Sequence, residues 1–145
     1  MNTLKSQLHT SEHILGQILD EYCTGFRTTA LEFREDNVRY DFKAENMSDT
    51  ITKDLLEAKV NVIIRRNIPV ETYEVSREKA KEMGLDLSIV PRSVERIRIV
   101  DIKSVNKQAC AGEHVSNTSE IGQVEIIKFV KKGVNSYQIV SKIRN

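Results

Sequence analysis

The sequence predicts a single α+β domain with helices packed on a mainly antiparallel sheet, and three observations carry that expectation. Residues 4–23 repeat their apolar side chains at helical spacing. Short β-branched and aromatic runs follow, each bounded by turn residues. The 145 residues contain neither an internal repeat nor a low-complexity linker. One core serves a chain of this length, so residues 1–145 are expected to form one domain.

In the opening stretch Leu4, Leu8, Leu15, Ile18, Leu19 and Tyr22 recur three or four apart, the period of an amphipathic helix. Two β-like runs, residues 26–33 and 38–42, flank the turn-forming Glu35-Asp36-Asn37 and predict a hairpin. Ser48 is placed to cap a second helix with Ile51, Leu55, Ala58 and Val62 on its apolar face. That helix should end before Pro69, because the residue ahead of a proline is pushed out of the helical region. A strand is predicted over residues 70–75. Ser76 opens a short charged helix that stops at Gly84, and Arg96–Ile102, after Pro91, reads as a buried strand. Residues 124–130, a turn at Lys131-Lys132-Gly133 and residues 137–143 predict a closing hairpin.

Charged side chains make up 30% of the chain, yet the formal net charge is only +1. No broad basic footprint for nucleic acid results, and any RNA contact is expected to be local. The stretch MNTLKSQLHT lacks the apolar core of a signal peptide, and no window approaches the about eighteen apolar residues of a membrane span. The chain is therefore expected in the cytoplasm, with neither a membrane nor DNA as partner. In a reducing compartment Cys23 and Cys110 are expected as thiols or ligands rather than as a disulfide. Cys23, on the apolar side of the first helix, reads as a small hydrophobe.

All three histidines fall in two motifs, His9-Thr10-Ser11-Glu12-His13 and Cys110-Ala111-Gly112-Glu113-His114. Imidazoles at i and i+4 project from one side of a helix and can reach one ion. A cysteine and a histidine from another segment complete a mixed nitrogen and sulfur set that suits Zn2+. By helical angle His9 and His13 lie at the edge of the apolar stripe, beside the core rather than within it. Gly16, one turn on, either leaves space beside the metal or permits close packing. The first motif also fits the H-x-x-E-H pattern of inverzincin proteases, whose glutamate is a general base. That similarity covers five residues, and the Cys110/His114 pair is foreign to it. Glu12 is thus read as a solvated helix residue, with a catalytic base as the alternative.

Together the two motifs resemble the editing domain shared by alanyl- and threonyl-tRNA synthetases and the stand-alone AlaX editing proteins. Residues 110–122 read CAGEHVSNTSEIG, similar to the family's cysteine-x-x-x-histidine with its threonine/serine-glutamate-isoleucine-glycine tail. A chain of this length, starting almost at its first histidine, resembles the small AlaX type. The resemblance implies a trans-editing hydrolase that deacylates mischarged alanine tRNA, with seryl-tRNA the usual substrate and glycyl-tRNA sometimes accepted. It implies one Zn2+ on His9, His13, Cys110 and His114, and pocket threonines at Thr28 and Thr29, with Gly16 and Gly112 beside the substrate. Four protein ligands describe a closed site, so His114 is expected either to stay a ligand or to withdraw as a proton carrier. Where the family commonly has Cys-Gly-Gly-Thr-His, this chain has Ala111 and Glu113, the latter expected to face solvent. Lys128, Lys131 and Lys132, with Lys142 and Arg144, are the candidate tRNA contacts. Two rival readings are a non-catalytic zinc-stapled tRNA-binding module and a deacylase for mischarged threonine tRNA.

Overall fold

The computed structural model describes residues 2–144. α1 (Leu4–Asp20) leads into β1 (Thr24–Phe33) and β2 (Asn37–Glu45), followed by α2 (Lys53–Ile64), β3 (Val70–Ser76), α3 (Arg77–Glu82), β4 (Arg96–Ile102) and β5 (Asn106–Ala109). After a 3-10 turn at Thr118–Ile121, β6 (Gln123–Gly133) and β7 (Ser136–Arg144) close the chain. The strands form two antiparallel sheets, ordered β1-β2-β7-β6 and β3-β4-β5. The α+β class and both predicted hairpins are present.

α1 begins at a reciprocal cap, in which Thr3 Oγ1 accepts from the Ser6 amide at 3.0 Å and Ser6 Oγ from the Thr3 amide at 3.1 Å. It ends three residues earlier than its apolar pattern suggests. The amides of Glu21 and Tyr22 turn back to the carbonyls of Ile18 and Leu19, and Thr24 is already paired with Glu45. The helix packs against β1, β2 and β7 of one sheet and β5 of the other. Its polar residues Thr10, Ser11, Glu12 and His13 are consequently as buried as Leu8, Ile14 and Leu15. The expectation that the histidines lie beside the core is corrected for His13, because the second sheet covers that edge.

α2 corrects the sequence reading twice. Thr52, not Ser48, caps it, accepting from the Leu55 amide at 3.2 Å, while Ser48 pairs with the Thr50 hydroxyl in the preceding turn. The buried face is Leu56, Val60 and Ile64; Leu55, Ala58 and Val62 are exposed, and of the expected face only Ile51, ahead of the helix, is buried. Two apolar stripes run side by side on this helix. The stripe chosen is the one sharing a face with Asn61, whose amide donates to the Val124 carbonyl and whose Oδ1 accepts from the Val124 amide, both at 2.9 Å. A helix tied to β6 through that clamp has only one way to face the sheet.

The closing hairpin also shifts. Lys131, Lys132 and Gly133 belong to β6, and the turn falls at Val134 and Asn135, the latter at φ 56°. Asparagine tolerates that left-handed conformation, which lysine avoids. β4 is buried on both sides, as predicted. Ile97 and Ile99 pack with Ala80 and Ala109 under α3, and Val100 and Ile102 join the larger core around α1 and α2. β5, too short and polar to announce itself, was not anticipated; it carries the chain from β4 into the second histidine motif.

The choice of stripe on α2 sets the stability of its variants. Leu56→Ala should lower unfolding free energy by about 2–5 kcal/mol and Leu55→Ala by less than about 1 kcal/mol in urea titrations. Equal effects would show that the wrong face has been placed inward.

Candidate metal centre

α1 presents His9 and His13 on one side, and the segment following β5 presents Cys110 and His114 against them. One ligand atom from each of the four residues lies within 4.8 Å of every other. Cys110 Sγ is 3.5 Å from His9 Nε2 and 3.4 Å from His114 Nε2, and the three imidazole centroids are 4.4 to 5.1 Å apart. His9 Nδ1 and both nitrogens of His13 are buried without a hydrogen-bond partner. Buried imidazole nitrogens are rarely left so. Three nitrogens and one thiol sulfur converging around orphaned lone pairs fit Zn2+ by donor type and number.

Two residues that sequence reasoning missed hold this arrangement. Thr10, fully buried on α1, donates its hydroxyl proton to the Ser6 carbonyl at 2.8 Å and accepts the Val115 amide at 3.1 Å. With that proton committed, its 3.0 Å contact to His114 Nδ1 makes the imidazole the donor. His114 Nε2 therefore faces the cluster with its lone pair free, the tautomer a metal ligand needs. Arg98, on β4, donates from one guanidinium nitrogen to the carbonyls of Cys110 at 3.0 Å and Gly112 at 2.6 Å, clamping the loop that carries the thiol. The signal for Arg98 was a cation set between the buried Ile97 and Ile99 inside a buried strand. Thr10 lay in the first motif, but nothing in the sequence assigned it a partner.

Gly112 packs directly on His9. A Cβ there would lie 2.2 Å from His9 Cε1, a distance no side chain can accept. Its place is thus against a member of the cluster, and it is absent from the cavity described next. The serine-glutamate-isoleucine-glycine tail has a fold role of its own. Thr118 Oγ1 donates to the Ile64 carbonyl at 3.0 Å and accepts the Ile68 amide at 2.9 Å, Ile121 is fully buried, and Gly122 sits at φ +82°.

A cavity of about 320 Å³ opens on His13, with Glu12, Gly16, Thr28 and Tyr40 along its inner wall. Gly16 leaves the room, since a Cβ would come within 3.0 Å of the Tyr40 hydroxyl. Thr28 Oγ1 and Tyr40 Oη are 3.1 Å apart. Thr29 does not line the cavity; it is the unpaired residue of a bulge between Thr28 and Ala30, which turns it elsewhere. Glu12 is not solvated. It is 6% exposed, and its Oε2 lies 3.7 Å from His13 Nε2 and 3.9 Å from His9 Nε2. Glu113 is exposed as expected and takes a hydrogen bond from Thr3, while Cys23 packs against the core. Lys128, Lys131 and Lys132 are exposed along the edge strand β6, away from the cavity wall, and Lys142 and Arg144 both engage Glu125.

Burial dominates the electrostatics. It lowers the His9 pKa to about 4, with Lys5 and Arg98 adding to the effect, and that of His114 to about 3, with His9 and Arg98 adding. His13 is pushed well down by burial and the neighbouring imidazoles. All three rings are therefore neutral near pH 7. Burial raises the Cys110 thiol against the opposing Gly112 amide, and raises the Glu12 carboxyl to about 8 against the Tyr40 hydroxyl.

In chelator, an unfolded chain takes up imidazole protons near pH 6.5, whereas folded His9 and His114 do so only near 4 and 3. That contribution is thus fully present above pH 6.5 and lost as pH falls toward 4. Glu12 acts in the opposite sense, its raised pKa costing stability as pH rises toward 8, so the experiment uses Glu12→Gln protein. Its melting temperature should fall between pH 6.5 and 4.5; a flat profile would contradict the neutral buried imidazoles.

Residues 97–138 match the family model described as the threonyl and alanyl tRNA synthetase second additional domain. The chain is 33% identical over 131 residues to the alanyl-tRNA editing protein AlaX-M of Methanosarcina barkeri, covering 88% of this chain and 53% of that protein. It is 34% identical over 134 residues to AlaX-L of Pyrococcus horikoshii, covering 92% and 32%. It is 28% identical over 120 residues to the alanine–tRNA ligase of Francisella philomiragia, covering 82% and 14%. The chain spans about half or less of the length of these curated relatives. Over residues 97–138 the chain thus carries a match to the threonyl and alanyl tRNA synthetase second additional domain, and over most of its length it is related to the alanyl-tRNA editing proteins AlaX.

Proposed function

We propose that this chain is a cytoplasmic zinc-dependent trans-editing hydrolase that deacylates mischarged alanine tRNA, seryl-tRNA(Ala) first and glycyl-tRNA(Ala) second. One observation carries this reading: four converging ligand side chains stand beside an open cavity whose wall offers a hydroxyl pair, Thr28 and Tyr40. The relatives' names support the substrate class.

His9, His13, Cys110 and His114 would hold Zn2+, which when bound supplies Lewis acidity toward an ester carbonyl. The chain's own residues do the rest. Thr10 fixes His114 as a lone-pair donor, which favours a ligand role over a proton carrier. Arg98 and Gly112 set the loop against His9. The Thr28 hydroxyl, held by Tyr40, is placed to hydrogen-bond a seryl hydroxyl, and a site built for that partner disfavours an alanyl group that leaves it unpaired. Thr29 is not assigned to the pocket. Lys128, Lys131 and Lys132 are the proposed phosphate contacts, each contributing to salt-sensitive tRNA binding.

Purified protein is assayed on seryl-, glycyl- and alanyl-tRNA(Ala) and on seryl-tRNA(Thr). Seryl-tRNA(Ala) should clear fastest, and His13→Ala should slow clearance by about three orders of magnitude, the scale of several kcal/mol of charge stabilisation. Clearance of seryl-tRNA(Thr) in preference would transfer the activity to threonine tRNA, and no clearance of any substrate would leave a metal-stapled module. Metal affinity gives a separate measure. Gly112→Ala, by displacing the His9 ring, should weaken zinc binding about ten- to hundred-fold in chelator competition, whereas Ala111→Gly, at an exposed position, should leave it unchanged.

A further inference from the structure

The cavity reaches the ligand cluster at a single point. Of the four clustered side chains only His13 lines it, and the residue beside His13 on that wall is Glu12. Where the cavity meets the cluster the Glu12 carboxyl therefore lies alongside, 6% exposed and within 3.9 Å of the Nε2 atoms of both first-helix histidines. Among the described residues His13, 2% exposed, has both ring nitrogens unpartnered at the same spot, and the buried Oδ1 of Asn106, which also lines the cavity, lacks a partner. Besides Glu12, the charged side chains lining the cavity among the described residues are Asp20, Asp86 and Lys107, two acids against one base. Such a cavity repels phosphate and accepts a small cation, and in an aminoacyl-tRNA one group has that character, the α-ammonium of the amino acid.

We propose that Glu12 is a specificity-determining residue: its carboxyl holds the α-ammonium of the aminoacyl group, so the site takes esters of amino acids with a free amine and rejects N-acylated ones. This rests on the deacylase reading above and names a substrate class within it. The amino acid enters amine first toward Glu12, its side chain lies along Thr28 and Tyr40, and the phosphate-bearing remainder of the tRNA stays outside the acidic cavity.

The test compares seryl-tRNA(Ala) with N-acetylseryl-tRNA(Ala) in the zinc-loaded wild type, Glu12→Gln and Glu12→Asp, with zinc content and melting temperature recorded for each. Wild type should favour the free amine about ten- to hundred-fold in kcat/KM, the scale of one charge-assisted hydrogen bond. Glu12→Gln should lose that preference by slowing on the seryl ester alone, with KM rising more than kcat falls, and Glu12→Asp should restore part of it. A purely structural role for Glu12 would slow both esters together and leave their ratio unmoved. Equal wild-type rates on the two esters overturn the proposal without any variant, as does a preference that survives Glu12→Gln. Hydrolysis of neither ester by wild type would instead overturn the deacylase reading itself.

Discussion

The structure turns on the meeting of one helix with one loop across about a hundred residues of chain. Thr10 sits at that meeting as the donor to α1's own Ser6 carbonyl and the acceptor for both His114 and the Val115 amide. One fully buried hydroxyl thereby fixes the docking of the loop, the tautomer of a histidine and the direction in which its lone pair points. Arg98 does the corresponding work from the strand side, with its guanidinium bridging two carbonyls of the loop. Losing either would leave buried polar groups unpaired, so the loop has few alternative seats. The rest of the fold, with α1 held between two sheets, exists at a geometry that these contacts make specific.

How far this was legible in the sequence depended on whether a signal was local. The first helix and the two hairpins rest on period and turn chemistry within a few residues, and all three appear, with the helix end and the closing turn displaced by a few residues. The orientation of α2 was not legible. Leu55, Ala58 and Val62 form as good an apolar stripe as Leu56, Val60 and Ile64, and contacts between residues far apart in sequence, Asn61 with Val124 and Glu57 with Ile126, decide between them. β5 is short, polar and defined by its pairing with β4, so its existence is a tertiary fact. The four clustered side chains were legible because two short motifs contain every histidine of the chain. Glu12 and Thr10 lay inside the first motif in plain sight, but their burial depends on a second sheet whose position no periodicity encodes. Thr28 and Thr29 were indistinguishable until the bulge in β1 placed them differently.

The protonation pattern separates this cluster from an ordinary buried polar network. In a network satisfied by its own hydrogen bonds, donors and acceptors match, and burial is compensated. Here the imidazoles are held neutral by burial and by one another, while the thiol and the neighbouring carboxyl are held in their protonated forms. Every group is in the state that avoids charge, and three ring nitrogens still lack partners. A divalent cation reverses each of these costs together. It takes the orphaned lone pairs, favours the thiolate and offsets the buried carboxylate. The four donors thus fit a cation that would complete the site better than they complete one another. The same logic extends to the cavity mouth, where Glu12 gains by meeting a positive group and the imidazoles lose by acquiring a charge of their own.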